Sequence, residues 1–121
     1  MKKVLVVDDD PGIVTLLSTM LRREGFIPVA AHNGHDALEQ IEATCPDLIL
    51  LDLAMPGMDG FEILAEIRRR ENGVRRIPII ILTAHLRSYF EARIDTHIDG
   101  YITKPLTLDK LRENLRQFIP A

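Results

Sequence analysis

The apolar residues of this chain fall into two alternating patterns. Short continuous runs occur at VLVV from Val4, DLILLD from Asp47 and IPIIILT from Ile77, with weaker ones at IPVAA from Ile27 and GYIT from Gly100. Runs of this length, bounded by polar or turn residues, are typical of parallel strands that are buried on both faces. The pattern therefore predicts five strands.

Helical periodicity separates these runs. The first helix has apolar residues at spacings of three and four, with Asp10 as N-cap, Pro11 as first helical residue and Gly25 beyond its end. Further helices are predicted near 35–43, from Phe61, near 86–94, and along a stripe from Leu108 to Phe118. Five helices thus alternate with the five strands.

This alternation predicts an α/β fold. Strands that alternate with helices form a central parallel sheet with right-handed crossovers and with helices on both faces. For five strands we expect the doubly wound, flavodoxin-like (βα)5 arrangement with strand order 2-1-3-4-5. A length of 121 residues fits one domain, which we place at residues 1–121.

Composition excludes several classes of protein. The net charge of -3 argues against the positive field that nucleic-acid binding usually requires. The only cysteine, Cys45, excludes an internal disulfide and is expected to pack as a small apolar residue. Apolar stretches are too short to span a membrane, for which about 18 residues are needed. We therefore expect a soluble, cytoplasmic protein without a direct nucleic-acid or membrane partner.

Unusual polar residues stand at the ends of four predicted strands. Asp8 and Asp9 follow the first strand, Asp52 ends the third, Thr83 ends the fourth, and Lys104 follows the fifth. The carboxyl ends of parallel strands lie at one edge of a sheet, and ligands bind there at the point where the strand order reverses. The sequence thus predicts a site between the first and third strands.

The chemistry of these residues indicates a cation. Three carboxylates in one pocket repel one another unless a positive charge offsets them. Oxygen ligands of this kind suit Mg²⁺, or Mn²⁺, and the ion together with Lys104 would bring the formal charge to zero. Phosphorylation of Asp52 would add negative charge that the hydroxyl of Thr83 and the ammonium of Lys104 can stabilise.

Four strings in this order resemble the response-regulator receiver domains of bacterial two-component systems, including those of the chemotaxis-regulator type. They are VLVVDDDPGI, DLILLDLAMPGMDGFEIL, PIIILTAH and GYITKPL. The resemblance implies a regulatory phosphoacceptor, not an enzyme acting on other substrates. Its phosphoryl group would come from a sensor histidine kinase or a histidine phosphotransfer protein. The domain would catalyse only its own phosphorylation and dephosphorylation.

The resemblance also implies roles for individual residues. Asp52 would be the phosphoacceptor, Asp9 a direct metal ligand and Asp8 a ligand either directly or through water. The backbone carbonyl of Ala54 would be the third protein ligand to the metal. Lys104 would contact the phosphoryl group, next to a cis Lys104–Pro105 bond.

Other residues would control the switch. Thr83 and Tyr101 would be a switch pair, in which the hydroxyl moves toward the phosphate and the ring turns inward behind it. His85 and the side chain at Ala54 would modulate the lifetime of the phosphoryl group. The surface of the fourth helix, fifth strand and fifth helix would bind a downstream effector or a second copy of the chain.

Two alternatives remain open at this point. The domain could bind partners through the same surface without phosphorylation, or it could carry a cofactor, as flavodoxin-like folds do. The acidic run at Asp8 disfavours an anionic cofactor, and no GxxxxGK[ST] motif is present. A basic cluster at the opposite pole is expected to be a solvated face more than a site for an anionic partner. It comprises Arg68, Arg69, Arg70, Arg75 and Arg76.

Overall fold

The computed structural model describes residues 2–52, 54–55, 58–71, 76–83 and 98–119, with the backbone alone at 54–55, 58–59 and 61. The helix predicted near 86–94 lies outside this description. None of the described helices is both long and apolar enough to cross a membrane.

A five-stranded parallel sheet forms the centre of the molecule. Its strands are Lys3–Val7 (β1), Ile27–Ala31 (β2), Leu48–Asp52 (β3), Ile79–Thr83 (β4) and Gly100–Thr103 (β5). They lie in the order β2-β1-β3-β4-β5 and every neighbouring pair is parallel. The predicted strand order and fold class are confirmed.

Four described helices cover the sheet. They are Pro11–Arg23 (α1), Gly34–Thr44 (α2), Gly60–Arg70 (α3) and the C-terminal helix Leu108–Phe118. Asp10 caps α1 as predicted, because its side chain accepts a hydrogen bond of 2.8 Å from the backbone N–H of Gly12. Cys45 ends α2 in the left-handed conformation and is exposed, so the expectation that it packs inside is wrong.

The core has two layers, one on each face of the sheet. Alternate residues of β1, β3 and β4 pack against α2 and α3 on one face and against α1 and the C-terminal helix on the other. All five residues of β3 and of β4 are buried. This two-sided burial explains why these strands are continuous apolar runs and not alternating ones.

A short antiparallel ladder follows β3. Residues Ala54–Met55 pair with Met58–Asp59, directly before α3 begins at Gly60. The strand pattern of the sequence did not predict this ladder, because each of its segments is only two residues long.

The pole opposite the predicted site is held by a buried arginine. The guanidinium of Arg68 donates to Glu71 at 2.7 Å, to the carbonyl of Ile77 at 2.8 Å and to Asp99 at 3.0 Å. The same two carboxylates accept the backbone N–H groups of Ile77 and Ile79, at 3.1 and 2.9 Å. The network therefore joins the end of α3 to the segments that start β4 and β5.

The basic cluster is thus only partly a solvated face. The side chain of Arg68 is 8% exposed, which contradicts the expectation for this residue. Arg69 and Arg70 pair with Glu66 at the surface, in agreement with it. Arg76 pairs with Asp99, and Arg75 lies outside the described residues.

The substitution Arg68→Met tests the network, because it keeps an apolar stem and removes the charge. Glu71 would then lose the guanidinium that it contacts, and Asp99 would keep only its pair with the more exposed Arg76 among the described residues. We therefore expect the free energy of unfolding to fall by about 2–4 kcal/mol. Urea denaturation measures this loss. Arg69→Met is the matched control, with little expected change because its side chain is 71% exposed. Equal effects of the two variants would show that the buried network does not stabilise this pole.

Candidate functional site

The predicted polar residues meet at one edge of the sheet. Asp8 follows β1 and Asp52 ends β3, and these strands are neighbours in which Val7 lies opposite Leu51. Carboxylate oxygens of Asp8, Asp9 and Asp52 all lie within 4.8 Å of one another. The fold therefore gathers the three carboxylates that the sequence placed at two separate strand ends.

Two of these carboxylates are buried. Asp8 is 0% and Asp52 is 3% exposed, whereas Asp9 is at the surface. One oxygen of Asp8, Oδ1, accepts a hydrogen bond of 3.0 Å from the backbone N–H of Asp10. The other, Oδ2, has no hydrogen-bond partner among the described residues. Buried polar atoms are nearly always bonded, so this oxygen is positioned for a ligand.

The surroundings of Asp8 disfavour its negative charge. The pKa of this carboxyl is raised from its usual value of 3.8 to about 6, mainly because burial disfavours the charge, while the hydrogen bond from the Asp10 N–H lowers it. The negative charge of Asp52 also contributes to this rise, while the ammonium of Lys104 opposes it. The single nearby ammonium therefore does not offset the charge of the pocket.

Lys104 lies beside both buried carboxylates. Its Nζ is 3.6 Å from Asp52 Oδ2 and 3.8 Å from Asp8 Oδ2, which is ion-pair distance without a short hydrogen bond. Its backbone N–H donates to the carbonyl of Thr83 at 2.8 Å, which ties the residue to the end of β4. The Lys104–Pro105 peptide is cis, as the resemblance implied.

The residues present fit a hard divalent cation. They offer three carboxylates whose oxygens lie within 4.8 Å of one another, two of them buried and one with an oxygen that accepts no hydrogen bond from the described residues. Mg²⁺ takes oxygen ligands and is typically bound by one or two carboxylates together with water. A cation here would also offset the two effects that raise the pKa of Asp8, which are its burial and the negative charge of Asp52.

The two residues of the predicted switch pair differ in burial. Thr83 ends β4 and is 5% exposed, next to the position that pairs with Asp52. Tyr101 lies on β5 and is 58% exposed, with its backbone opposite Ile81. In this structure Thr83 is therefore buried at the end of β4, and Tyr101 is exposed at the surface.

The remaining predicted residues are less defined. Ala54 lies two residues after Asp52, in the short ladder that follows β3, and the role of its carbonyl as a ligand stays a prediction. His85 lies outside the residues that the structure describes.

One contact near the site was not predicted. Lys110, in the first turn of the C-terminal helix, donates from Nζ to the carbonyls of Thr103 and Pro105 and to the hydroxyl of Thr103. Sequence alone gives no signal for it, because Lys110 belongs to no motif and a lysine on a helix surface is normally solvated.

The variant Asp8→Asn should stabilise the protein in the absence of metal. An amide keeps the acceptor for Asp10 and removes a buried charge. The folded-state pKa of Asp8 is raised, so its ionisation opposes folding fully above pH 6 and hardly at all near pH 4. We expect about 2 kcal/mol of added stability at pH 7.5 in a chelator, decreasing toward zero as the pH falls to 4.

Thermal and urea denaturation across this pH range measure the effect. Asp10→Asn is the matched control, since Asn caps a helix as well as Asp does and Asp10 is exposed. A gain for Asp8→Asn that did not depend on pH, or an equal gain for Asp10→Asn, would contradict the account of Asp8.

Comparison with known proteins agrees with this geometry. The family model for the response regulator receiver domain matches residues 4–116. The sporulation initiation phosphotransferase F of Bacillus subtilis is 35% identical over 98% of this chain and 94% of its own length. The alkaline phosphatase synthesis transcriptional regulatory protein PhoP of the same organism is 38% identical over 88% of this chain, which spans 43% of that protein.

A solved structure shows the same fold. The response regulator TrrA of Thermotoga maritima, determined in complex with Mg²⁺ and BeF, is 36% identical and has a TM-score of 0.86, with coverage of 98% of this chain and all of the other. Receiver domains are regulatory phosphoacceptor modules that interact with histidine kinases and effectors in two-component systems. The chain belongs to the response regulator receiver domain family.

Proposed function

We propose that this domain is a phosphorelay switch in which Asp52 accepts a phosphoryl group from a phosphohistidine. The donor is a sensor histidine kinase or a histidine phosphotransfer protein. The observation that carries the proposal is the position of the Asp52 carboxylate, buried at the end of a central strand, near Asp8 and Asp9 and 3.6 Å from Lys104 Nζ. We take residues 1–121 as one receiver domain.

The metal site in this proposal is Asp8, Asp9 and Asp52, with the backbone carbonyl of Ala54. The three carboxylates supply oxygen ligands for Mg²⁺, or for Mn²⁺ in its place. When bound, the divalent ion supplies positive charge that stabilises the phosphoryl oxygens during transfer. Asp8 is held in place for this role by the N–H of Asp10, which leaves its second oxygen available.

Asp52 acts as the nucleophile. A carboxylate oxygen forms the new O–P bond as the P–N bond to the donor imidazole breaks, and the electron pair of that bond returns to the nitrogen. The ammonium of Lys104 is near enough to contact the incoming phosphoryl oxygens. Later hydrolysis of the acyl phosphate by water restores the carboxylate, so the domain acts only on itself.

Phosphorylation changes the charge that the pocket must stabilise. The phosphoryl group adds about one negative charge relative to the free carboxylate at neutral pH. Thr83 is buried at the end of the neighbouring strand, and in this proposal its hydroxyl donates to the phosphoryl group. Movement of Thr83 toward the phosphoryl group makes room for the ring of Tyr101 to turn inward from its exposed position.

The output surface includes β5 and the C-terminal helix. A cleft of about 260 Å³ lies between them, with Tyr101, Lys110 and Asn114 among its lining residues. Inward rotation of Tyr101 would change the shape of this cleft. We propose that a downstream effector or a second copy of the chain recognises this surface together with the helix predicted near 86–94. His85 and Ala54 would set the lifetime of the signal.

Small phosphodonors test the proposal without knowledge of the kinase. Incubation with Mg²⁺ and phosphoramidate or acetyl phosphate should add about 80 Da to the intact mass, the size of one phosphoryl group. We expect no gain for Asp52→Asn, and little for the wild-type protein in a chelator. Asp10→Asn is the control for the acidic run and should be phosphorylated like the wild type.

Two outcomes would contradict the proposal. One is an unchanged mass of the wild-type protein with both donors. The other is an equal gain in mass by Asp52→Asn. Either would favour a domain that binds partners through the same surface without phosphorylation.

A further inference from the structure

The ammonium group of Lys110 donates hydrogen bonds to the segment that carries Lys104. Its Nζ donates to the carbonyl of Pro105 at 3.1 Å, to the carbonyl of Thr103 at 3.2 Å and to the hydroxyl of Thr103 at 3.3 Å. An ammonium has three N–H donors, so these acceptors use its full capacity. Lys110 forms no ion pair with a carboxylate in the described part of the chain, and its charge is therefore directed at these oxygens.

These contacts lie on both sides of Lys104. Thr103 precedes it and Pro105 follows it, so a single ammonium holds the two carbonyls that flank this residue. The backbone N–H of Lys104 itself is bonded to Thr83 at 2.8 Å. The backbone from which the Lys104 side chain extends is thus fixed from the end of β4 and from the C-terminal helix.

Lys110 is itself firmly anchored. Its backbone N–H donates to the side chain of Thr107, the N-cap of the C-terminal helix, at 3.2 Å. Its carbonyl accepts from the side-chain amide of Asn114 at 2.9 Å. Leu111, the next residue, is buried in the core beneath the sheet. The ammonium therefore projects from a helix turn that is held by capping and by packing.

We propose that Lys110 is a positioning residue, which fixes the backbone around Lys104 so that the Lys104 ammonium stays beside Asp8 and Asp52. A lysine side chain is flexible and costs entropy to hold in one place, so a fixed backbone reduces that cost at the site. The inference deepens the function proposed for Asp52 and rests on it for its effect on phosphoryl transfer. Its effect on cation binding can be measured independently.

The variant Lys110→Met keeps the length of the side chain and removes its donors. With Lys104 less confined, we expect the rate constant of phosphorylation by phosphoramidate to fall on the order of tenfold. Binding of Mg²⁺ to the unphosphorylated protein should instead become tighter, by about threefold, because less positive charge is held against the carboxylates. A merely structural loosening of the site would lower both the rate constant of phosphorylation and the affinity for Mg²⁺.

Two further variants separate positioning from a loss of charge. Arg116→Met removes an exposed positive charge from the same helix. It should leave the rate constant of phosphorylation and the Mg²⁺ affinity as in the wild type. In a Lys104→Met background, Lys110→Met should have no further effect on Mg²⁺ affinity, because the group that it positions is gone. Isothermal titration calorimetry measures affinity, and intact mass against time gives the rate.

Several results would overturn the inference. The first is a Mg²⁺ affinity that Lys110→Met leaves unchanged. The second is a gain in Mg²⁺ affinity from Lys110→Met that is as large in the Lys104→Met background as in the wild type. The third is a wild-type protein that binds no Mg²⁺. If Lys110→Met does not fold, Lys110→Gln replaces it, with smaller changes expected in the same directions. If Asp52 is never phosphorylated but the affinities change as described, the proposed function fails and the positioning role stands.

Discussion

The repulsion between the carboxylates of Asp8 and Asp52 is the constraint on which the site depends. Both side chains are almost completely buried at the ends of adjacent strands, and only Lys104 offers them a nearby positive charge among the described residues. Burial and this crowding raise the pKa of Asp8 to about 6. A divalent cation relieves the repulsion, and a phosphoryl group on Asp52 changes the balance again. The charge balance of the site therefore responds both to cation binding and to phosphorylation of Asp52.

The fold keeps these like charges together because its core is rigid around them. The strands β1, β3 and β4 are packed on both faces, so the strand ends cannot move apart without loss of buried apolar contacts. At the opposite pole, the buried Arg68 network joins α3 to the segments that start β4 and β5. The site thus lies at one end of a sheet whose strands are held by apolar packing along their length. At the other end of the sheet, the ion pairs of Arg68 hold the helix and strand ends together.

Much of this arrangement could be predicted from the sequence. The strand order follows from the alternation of apolar runs and helical stripes, and the meeting of Asp8, Asp52 and Lys104 follows from the rule that parallel strands share one carboxyl edge. These predictions succeed because each depends on a short local pattern. The conformation of Cys45 depends on how α2 ends, and its exposure could not be read from its residue type.

Other features depend on contacts between distant segments. The burial of Arg68 depends on Asp99, 31 positions away, which no periodic pattern connects with it. The role that we assign to Lys110 depends on which way one helix turn faces the loop before it. Such contacts are set by tertiary packing, so they appear only when the chain is folded.

The most direct test of the account is an NMR titration of the Asp8 carboxyl carbon, with and without saturating Mg²⁺. In a chelator we expect a pKa of about 6. With Mg²⁺ bound, the cation should favour the carboxylate and lower the pKa from about 6 to about 4 or less. A pKa near 3.8 without metal, or one that Mg²⁺ does not change, would contradict the claim that buried like charges at this edge create the cation site.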